Sequence, residues 1–296
     1  MTLKIRRLSY AIGAEVSGVD LATSIDEATA GELRNAFLDH GVLLFRGRSI
    51  AREQHLAFAR LFGEVDQNKV IRRNEVPGFS EISYVMSKPT PSGEPVTGYA
   101  DGKFPGQDWH SDKSYVSVPA KATILRAVVL PEVGGDTMFA NGCLSYQRLS
   151  EGMKKLVDGL EGIHDRDGYK NVLQDRSTPD QAEQTKRITR TAQPIVRVHP
   201  ETGRKALYLG ETLVRQIVGM TEAESAPLLD YLKAHMTRPQ FVYRHVWQKD
   251  DLLIWDNRCT MHVALGDFDR SSQLRHLEKI TVIGTPSGYS YNGPVG

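Results

Sequence analysis

Between residues 26 and 40 the apolar positions Leu33, Ala36 and Phe37 recur at the 3.6-residue period, His40 continues that face, and Gly41 stands where a left-handed C-cap belongs. The pattern predicts a helix over Asp26–His40. A second block, with Leu56, Phe58, Ala59 and Phe62 and a stop at Gly63, predicts another helix capped by Ser49. Short apolar runs at Leu3–Ile5, Ala14–Val19 and Val42–Phe45 predict strands. From Asn68 to Pro105 the chain is dominated by Pro, Gly, Ser and charge, and only Ile82–Val85 reads as strand. A loop region this long in a compact domain is usually functional.

Beyond it, Ala122–Leu130 reads as a buried strand, Gly134-Gly135 as a turn, Thr137–Ala140 as a strand and Leu144–Leu160 as a helix. Residues 165–192 are polar and weakly patterned and read as an insertion or lid. Ile195–His199 and Lys205–Leu209 flank Pro200-Glu201-Thr202-Gly203, a hairpin signal. Thr221-Glu222-Ala223-Glu224 has the capping-box form and opens a helix to His235. Strands follow at Phe241–Trp247, Leu252–Trp255 and Arg275–Ile283, and the Gly- and Pro-rich tail from Gly284 reads as irregular. Short strands at regular spacing with helices outside them suggest a β-sandwich or jelly roll with flanking helices. Gly-rich nucleotide-binding motifs and the GxSxG elbow are absent from the sequence.

Composition narrows the chemistry. The chain has 296 residues, 37 Lys plus Arg against 36 Asp plus Glu, and a formal charge of +1. That balance offers no long-range attraction for nucleic acid or a membrane surface. No run approaches the ~20 apolar residues of a membrane span. The start, MTLKIRRLSY, lacks the apolar core of a signal peptide, so a cytoplasmic location is expected. Two cysteines, Cys143 and Cys259, exclude a disulfide scaffold or a Cys-rich metal site. A metal would have to use the nine histidines and the carboxylates.

A histidine and a carboxylate at i and i+2 on a strand face the same way, and a distant histidine completes a facial triad with open positions for oxygen chemistry. Composition alone gives about one chance His-x-Asp/Glu match, and the chain has three: His110-Ser111-Asp112, His199-Pro200-Glu201 and His276-Leu277-Glu278. His276 has no histidine after it to serve as the distal ligand. His199 and Glu201 fall in the hairpin turn, where they are expected to face solvent. His110-Ser111-Asp112 precedes the apolar strand at the mouth of the β core. Among distal candidates, His235 lies near a helix end and His245 mid-strand, while His262 follows the Asp256-Asn257 turn. Spacing alone leaves the His110/Asp112/His262 triad open against ordinary core histidines.

The chain resembles the taurine/α-ketoglutarate dioxygenase family along nearly its whole length. Gly13–Leu21 (GAEVSGVDL), Val42–Gly47 (VLLFRG) and Phe58–Gly63 (FARLFG) look like its N-terminal landmarks. Trp109-His110-Ser111-Asp112 matches WH[ST]D, Gly134-Gly135-Asp136-Thr137 matches GGDT, His199–Arg204 resembles the HPxTG hairpin, and Trp255-Asp256-Asn257-Arg258 with His262 matches WDNRxxxH. The resemblance implies an α+β fold with a double-stranded β-helix (jelly roll) core, in one domain over 1–296. It implies Fe(II) on His110, Asp112 and His262, and 2-oxoglutarate held by Thr137 and Arg275.

At Lys279 the family's sulfonate and aryloxyalkanoate members usually carry an arginine that binds the substrate anion. Lysine keeps the cation and loses the fork. The histidine and tyrosine that bind taurine align with Asn68 and Ile71, a departure from the taurine pattern at two substrate-binding positions. The implied activity is hydroxylation of an unactivated C–H of a small anionic substrate, using O2 and releasing succinate and CO2. A homo-oligomer, dimer or tetramer, is implied by analogy; nucleic acid and membrane partners are not. The competing readings are a non-oxidative metal-dependent enzyme, which would need no 2-oxoglutarate clamp, and a non-catalytic jelly-roll ligand-binding protein, which would tolerate loss of a metal ligand.

Overall fold

The computed structural model describes residues 3–67, 75–87, 106–165 and 190–294. Its strands are β1 (Lys4–Arg7), β2 (Ala14–Ser17), β3 (Val42–Phe45), β4 (Glu75–Val76), β5 (Phe79–Met86), β6 (Ala120–Val129), β7 (Thr137–Asn141), β8 (Glu161–His164), β9 (Thr191–Pro194), β10 (Val196–Val198), β11 (Lys205–Leu207), β12 (Val214–Ile217), β13 (Val242–His245), β14 (Leu252–Asp256), β15 (Thr260–Ala264), β16 (His276–Ile283) and β17 (Tyr289–Ser290). The helices are α1 (Glu27–His40), α2 (Arg52–Arg60), α3 (Gly142–Gln147), α4 (Glu151–Val157) and α5 (Glu222–Met236). The fold is mixed helix and sheet.

An eight-stranded sheet runs β1-β2-β3-β14-β6-β16-β5-β4, and a three-stranded sheet runs β13-β7-β15. Strands β12-β8-β9-β17 form a third sheet, and β10-β11 is the hairpin read from the sequence. Strands β3 and β14 are buried on both faces, so their apolar runs VLLF and LLIW are unbroken. Alternation sends Leu43, Phe45, Ile124, Leu252, Ile254 and Ile280 to the face packed on α1 and α2 with Leu33, Phe37 and Phe58. The opposite face presents Val42, Leu44, Leu125, Leu253, Trp255 and Leu277 to Phe139 of β7 and to Trp247. The site described below lies between these two sheets. A third core joins Ala140 and Met261 of the small sheet to α5 through Leu229, Leu232 and Met236.

Helix α1 ends at Gly41 as expected, with φ 67° and its N–H donating to Phe37 O, and it starts at Glu27, where the Asp26 carboxylate caps it by accepting the Thr29 N–H. Three expectations need correction. Helix α2 starts at Arg52 and Ser49 does not cap it; the Gln54 side chain accepts the Ala51 N–H instead. The helix expected over Leu144–Leu160 is two, because Ser150 caps a fresh start by accepting the Met153 N–H. The tail is not wholly irregular, since β17 pairs with β9. The bulk of the 165–192 insertion or lid, residues 166–189, lies outside the described residues, as do Asn68 and Ile71.

Candidate metal and 2-oxoglutarate site

His110 and His262, far apart in sequence, are joined by backbone: His110 N–H donates to His262 O at 3.0 Å and His262 N–H to His110 O at 2.8 Å. Their rings lie 4.2 Å apart between centroids. Asp112 completes the group, with Oδ1 3.7 Å from His110 Nε2 and Oδ2 4.0 Å from His262 Nε2. One ligand atom from each of the three falls within 4.8 Å of the others. Ser111, between the ligands, points away and donates to Thr260 O at 2.6 Å, which anchors the loop to β15.

Neighbouring groups set the state of each ligand. His110 Nδ1 lies 2.7 Å from Asp108 O, so it carries the proton and leaves the Nε2 lone pair toward Asp112. Burial, and His110 beside it, hold the His262 imidazole well below its ordinary pKa, so it stays neutral. Burial alone would raise Asp112, but the Lys279 ammonium, the two imidazoles and the Thr123 hydroxyl outweigh it and hold the carboxyl well below the usual range. Two imidazole nitrogens and one carboxylate form the donor set that suits a divalent iron. The residues present fit the metal.

A second set of residues orients Asp112. Thr123 Oγ1 donates to Asp112 Oδ2 at 2.5 Å, and Asn257 Nδ2 donates to Thr123 Oγ1 at 2.9 Å. Asn257 Oδ1 accepts the Asp112 backbone N–H at 3.1 Å and the Trp255 indole N–H at 3.0 Å. Sequence reasoning assigned no role to Thr123 or Asn257. The available signal was a threonine set between the apolar Ala122 and Ile124 of β6.

Thr137 and Arg275 meet on the same inner face. Thr137 pairs with Ala264, two residues along β15 from His262. Arg275 Nη2 donates to Thr137 Oγ1 at 3.3 Å and Arg275 Nε to Gly135 O at 2.7 Å; Trp247 also donates to Thr137, at 3.0 Å. Gly135 has φ 72°, and a Cβ there would stand 3.1 Å from Arg275 Cδ, so glycine lets the guanidinium stem pass. Lys279 shares the face of Leu277 on β16, and its Nζ lies 4.0 Å from Asp112 Oδ1. Trp255 packs on His262 with ring centroids 4.6 Å apart, whereas Trp109 and Tyr115 pack against the third core.

Three other histidines, His235, His245 and His199, are engaged elsewhere. His235 Nε2 lies 2.9 Å from Ser145 O, and His245, at the end of β13, lies 3.2 Å from Asp251. His199 does not face solvent as expected: it is 1% exposed. Its Nδ1 accepts the Thr202 N–H at 3.1 Å, so Nε2 donates to Asp256 Oδ2 at 3.0 Å. Arg258 binds both Asp256 oxygens, at 2.8 and 2.6 Å. With Cys259 these groups resemble a metal cluster, but every nitrogen and oxygen already has a partner. Glu278 is likewise committed, to Arg52 and Arg126.

Comparison with known proteins agrees with this geometry. The model of the taurine catabolism dioxygenase TauD, TfdA family matches residues 4–281. The chain is 33% identical to an alkylsulfatase of Acinetobacter baylyi, covering 95% of this chain and 85% of that protein. It is 33% identical to the α-ketoglutarate-dependent sulfate ester dioxygenase of Pseudomonas putida, covering 96% and 90%. The structure of AAD-2 in complex with Mn(II) and N-oxalylglycine superposes with a TM-score of 0.79 at 32% identity, covering 97% of this chain and 99% of that one. The chain belongs to the taurine catabolism dioxygenase TauD, TfdA family.

Proposed function

We propose that this protein is an Fe(II)- and 2-oxoglutarate-dependent dioxygenase that hydroxylates a small anionic organic substrate and releases succinate and CO2. The observation that carries the reading is the convergence of His110, Asp112 and His262 with the Thr137–Arg275 pair on one face between two sheets. A hydrolytic metal enzyme has no use for that pair, and a binding protein has no need of a complete ligand set.

In this reading His110 Nε2, an Asp112 oxygen and His262 Nε2 hold the iron. The iron, when bound, supplies O2 activation coupled to oxidative decarboxylation of 2-oxoglutarate. Arg275 and the Thr137 hydroxyl grip the distal carboxylate of 2-oxoglutarate, a planar cation and a neutral donor for a planar anion. Thr123 and Asn257 fix the Asp112 carboxylate, so the ligand oxygens do not swing with the loop. Trp255 and Phe139 wall the His262 side against water. Lys279 receives the substrate anion. The sulfate-ester and alkylsulfate activities named for two relatives make sulfate esters the first substrate class to try. Asn68 and Ile71 are proposed to line the substrate side, in place of the taurine-binding pair.

The core is read as a jelly roll with flanking helices, in one domain over 1–296 with 165–192 as an insertion or lid. A cytoplasmic homo-oligomer is part of the same reading. No helix among the described residues is long and apolar enough to cross a membrane.

Anaerobic titration with Fe(II) and 2-oxoglutarate tests the assignment. The expected result is a weak visible charge-transfer band that vanishes in His110→Ala. A folded preparation with no band, and no succinate from a panel of sulfate esters, sulfonates and aryloxyalkanoates, would refute it.

A further inference from the structure

The two cysteines lie far apart in sequence but pack together with Ala206. Cys143 is the second residue of α3, directly after Gly142, whose N–H donates to Cys259 O at 2.8 Å. A Cβ at position 142 would stand 2.5 Å from Leu207 O and 2.8 Å from Cys259 O, so glycine is what lets these segments approach. Both cysteine residues are 5% exposed and line one cavity of about 270 Å³. Arg7, Arg204, His40 and Asp39 also line it, and His110, Asp112 and His262 do not. Burial holds His40 below its ordinary pKa, so two guanidinium groups face one carboxylate and the wall is net cationic.

We propose that Cys143 and Cys259 form a thiol–disulfide exchange site, separate from the metal site, that reacts with an anionic low-molecular-weight disulfide and closes to an intramolecular Cys143–Cys259 bond. The two thiols have different environments. The Cys259 thiol beside it, and then Arg204, draw Cys143 below its ordinary pKa against the effect of burial, whereas its contact with Cys143 and its own burial push Cys259 up. Cys143 is therefore the attacking sulfur. Its thiolate attacks one sulfur of RS–SR, forming Cys143–S–S–R and releasing RS⁻, which takes up the proton Cys143 lost. The Cys259 sulfur then attacks Cys143 Sγ, expels the second RS⁻ and gives it a proton. Two protein thiols are oxidised and one small disulfide is reduced to two thiols. The exchange ties the start of α3 to the turn that carries Asn257 and leads into β15, three residues before His262.

The Fe(II)-loaded wild-type protein is incubated anaerobically with oxidised glutathione, quenched in acid and analysed by mass spectrometry. The expected product is a monomer lighter by two hydrogens, with peptides containing Cys143 and Cys259 joined and both thiols restored by a reductant. Cys259→Ser should accumulate one glutathione on Cys143, and Cys143→Ser should accumulate none on Cys259. Cystamine, a cationic disulfide, should react more slowly than oxidised glutathione at low ionic strength. Wild-type protein that retains both thiols, or carries separate adducts without a cross-link, overturns the proposal. An adduct on Cys259 in Cys143→Ser overturns the order of attack, and faster reaction with cystamine overturns the anionic choice.

Discussion

At residue scale, the Asp112 carboxylate is held by the Thr123 hydroxyl, and that hydroxyl by Asn257. Removing an outer hydrogen-bond partner of a metal ligand typically costs about 10–100-fold in metal affinity. Thr123→Val should therefore weaken Fe(II) binding by that order while the fold persists, and Fe(II) titration monitored by the charge-transfer band measures it. Lys279 has two charged neighbours to serve, Asp112 and the substrate anion. Lys279→Ala should raise KM for the best anionic substrate about tenfold or more, consistent with about 1.5–3 kcal/mol for a charged hydrogen bond, and leave KM for 2-oxoglutarate nearly unchanged. An unaltered substrate KM would remove Lys279 from the anion site. Both residues sit on the inner face by strand alternation alone, so the position of Lys279 relative to Arg275 was legible in the sequence. Its 4.0 Å approach to Asp112 was not, because that contact joins β16 to a loop more than 160 residues earlier.

At the scale of elements, the GGDT turn shows why the motif has two glycines. Gly134 has φ 82° and a Cβ there would meet Asp267 O at 2.2 Å; Gly135 has φ 72° and faces Pro131 and Arg275. A left-handed conformation costs a residue other than glycine about 1–3 kcal/mol. Gly135→Ala should lower stability by that order in denaturant titration. It should also raise KM for 2-oxoglutarate, because the added methyl presses on the Arg275 stem. Strand and helix positions were readable wherever one face was apolar and the cap was local, as in α1 and α5. They were misread where a cap came from an unexpected residue: Gln54 replaced Ser49, and Ser150 split one helix into two. The hairpin at 199–204 was recognised, but the burial of His199 was not. Its partner Asp256 comes from β14, and a turn motif carries no information about what packs over it.

For the molecule as a whole, two histidines take no part in the site yet should govern its response to acid. His55 and His164 are fully buried, and burial, with Arg126 near the first and Arg197 and Lys233 near the second, pushes each down to about 3. In the unfolded chain they titrate near the ordinary value of about 6.5. Above that pH neither state is protonated and they have no effect. As pH falls from about 6.5 toward 3, the unfolded chain binds protons that the native protein refuses, so stability declines by up to about 1.4 kcal/mol per pH unit for each histidine. Urea denaturation between pH 7 and 4 should show this slope, and His55→Gln should make it shallower by one proton. An unchanged slope in the variant would show that His55 is protonated in the native state. Neither burial was predictable from the chain, since His55 lies on a helix and His164 at the end of a short strand before a polar stretch.

The reciprocal backbone bond between His110 and His262 also determines when the two rings are brought together. Sheet formation closes the long chain segment between them, so the entropy of pairing these ligands is lost during folding and not at metal capture. A metal ion would then meet two histidines whose backbones are already joined. A chelator should strip it without unfolding the chain, and reloading should be limited by diffusion and dehydration of the ion instead of by refolding.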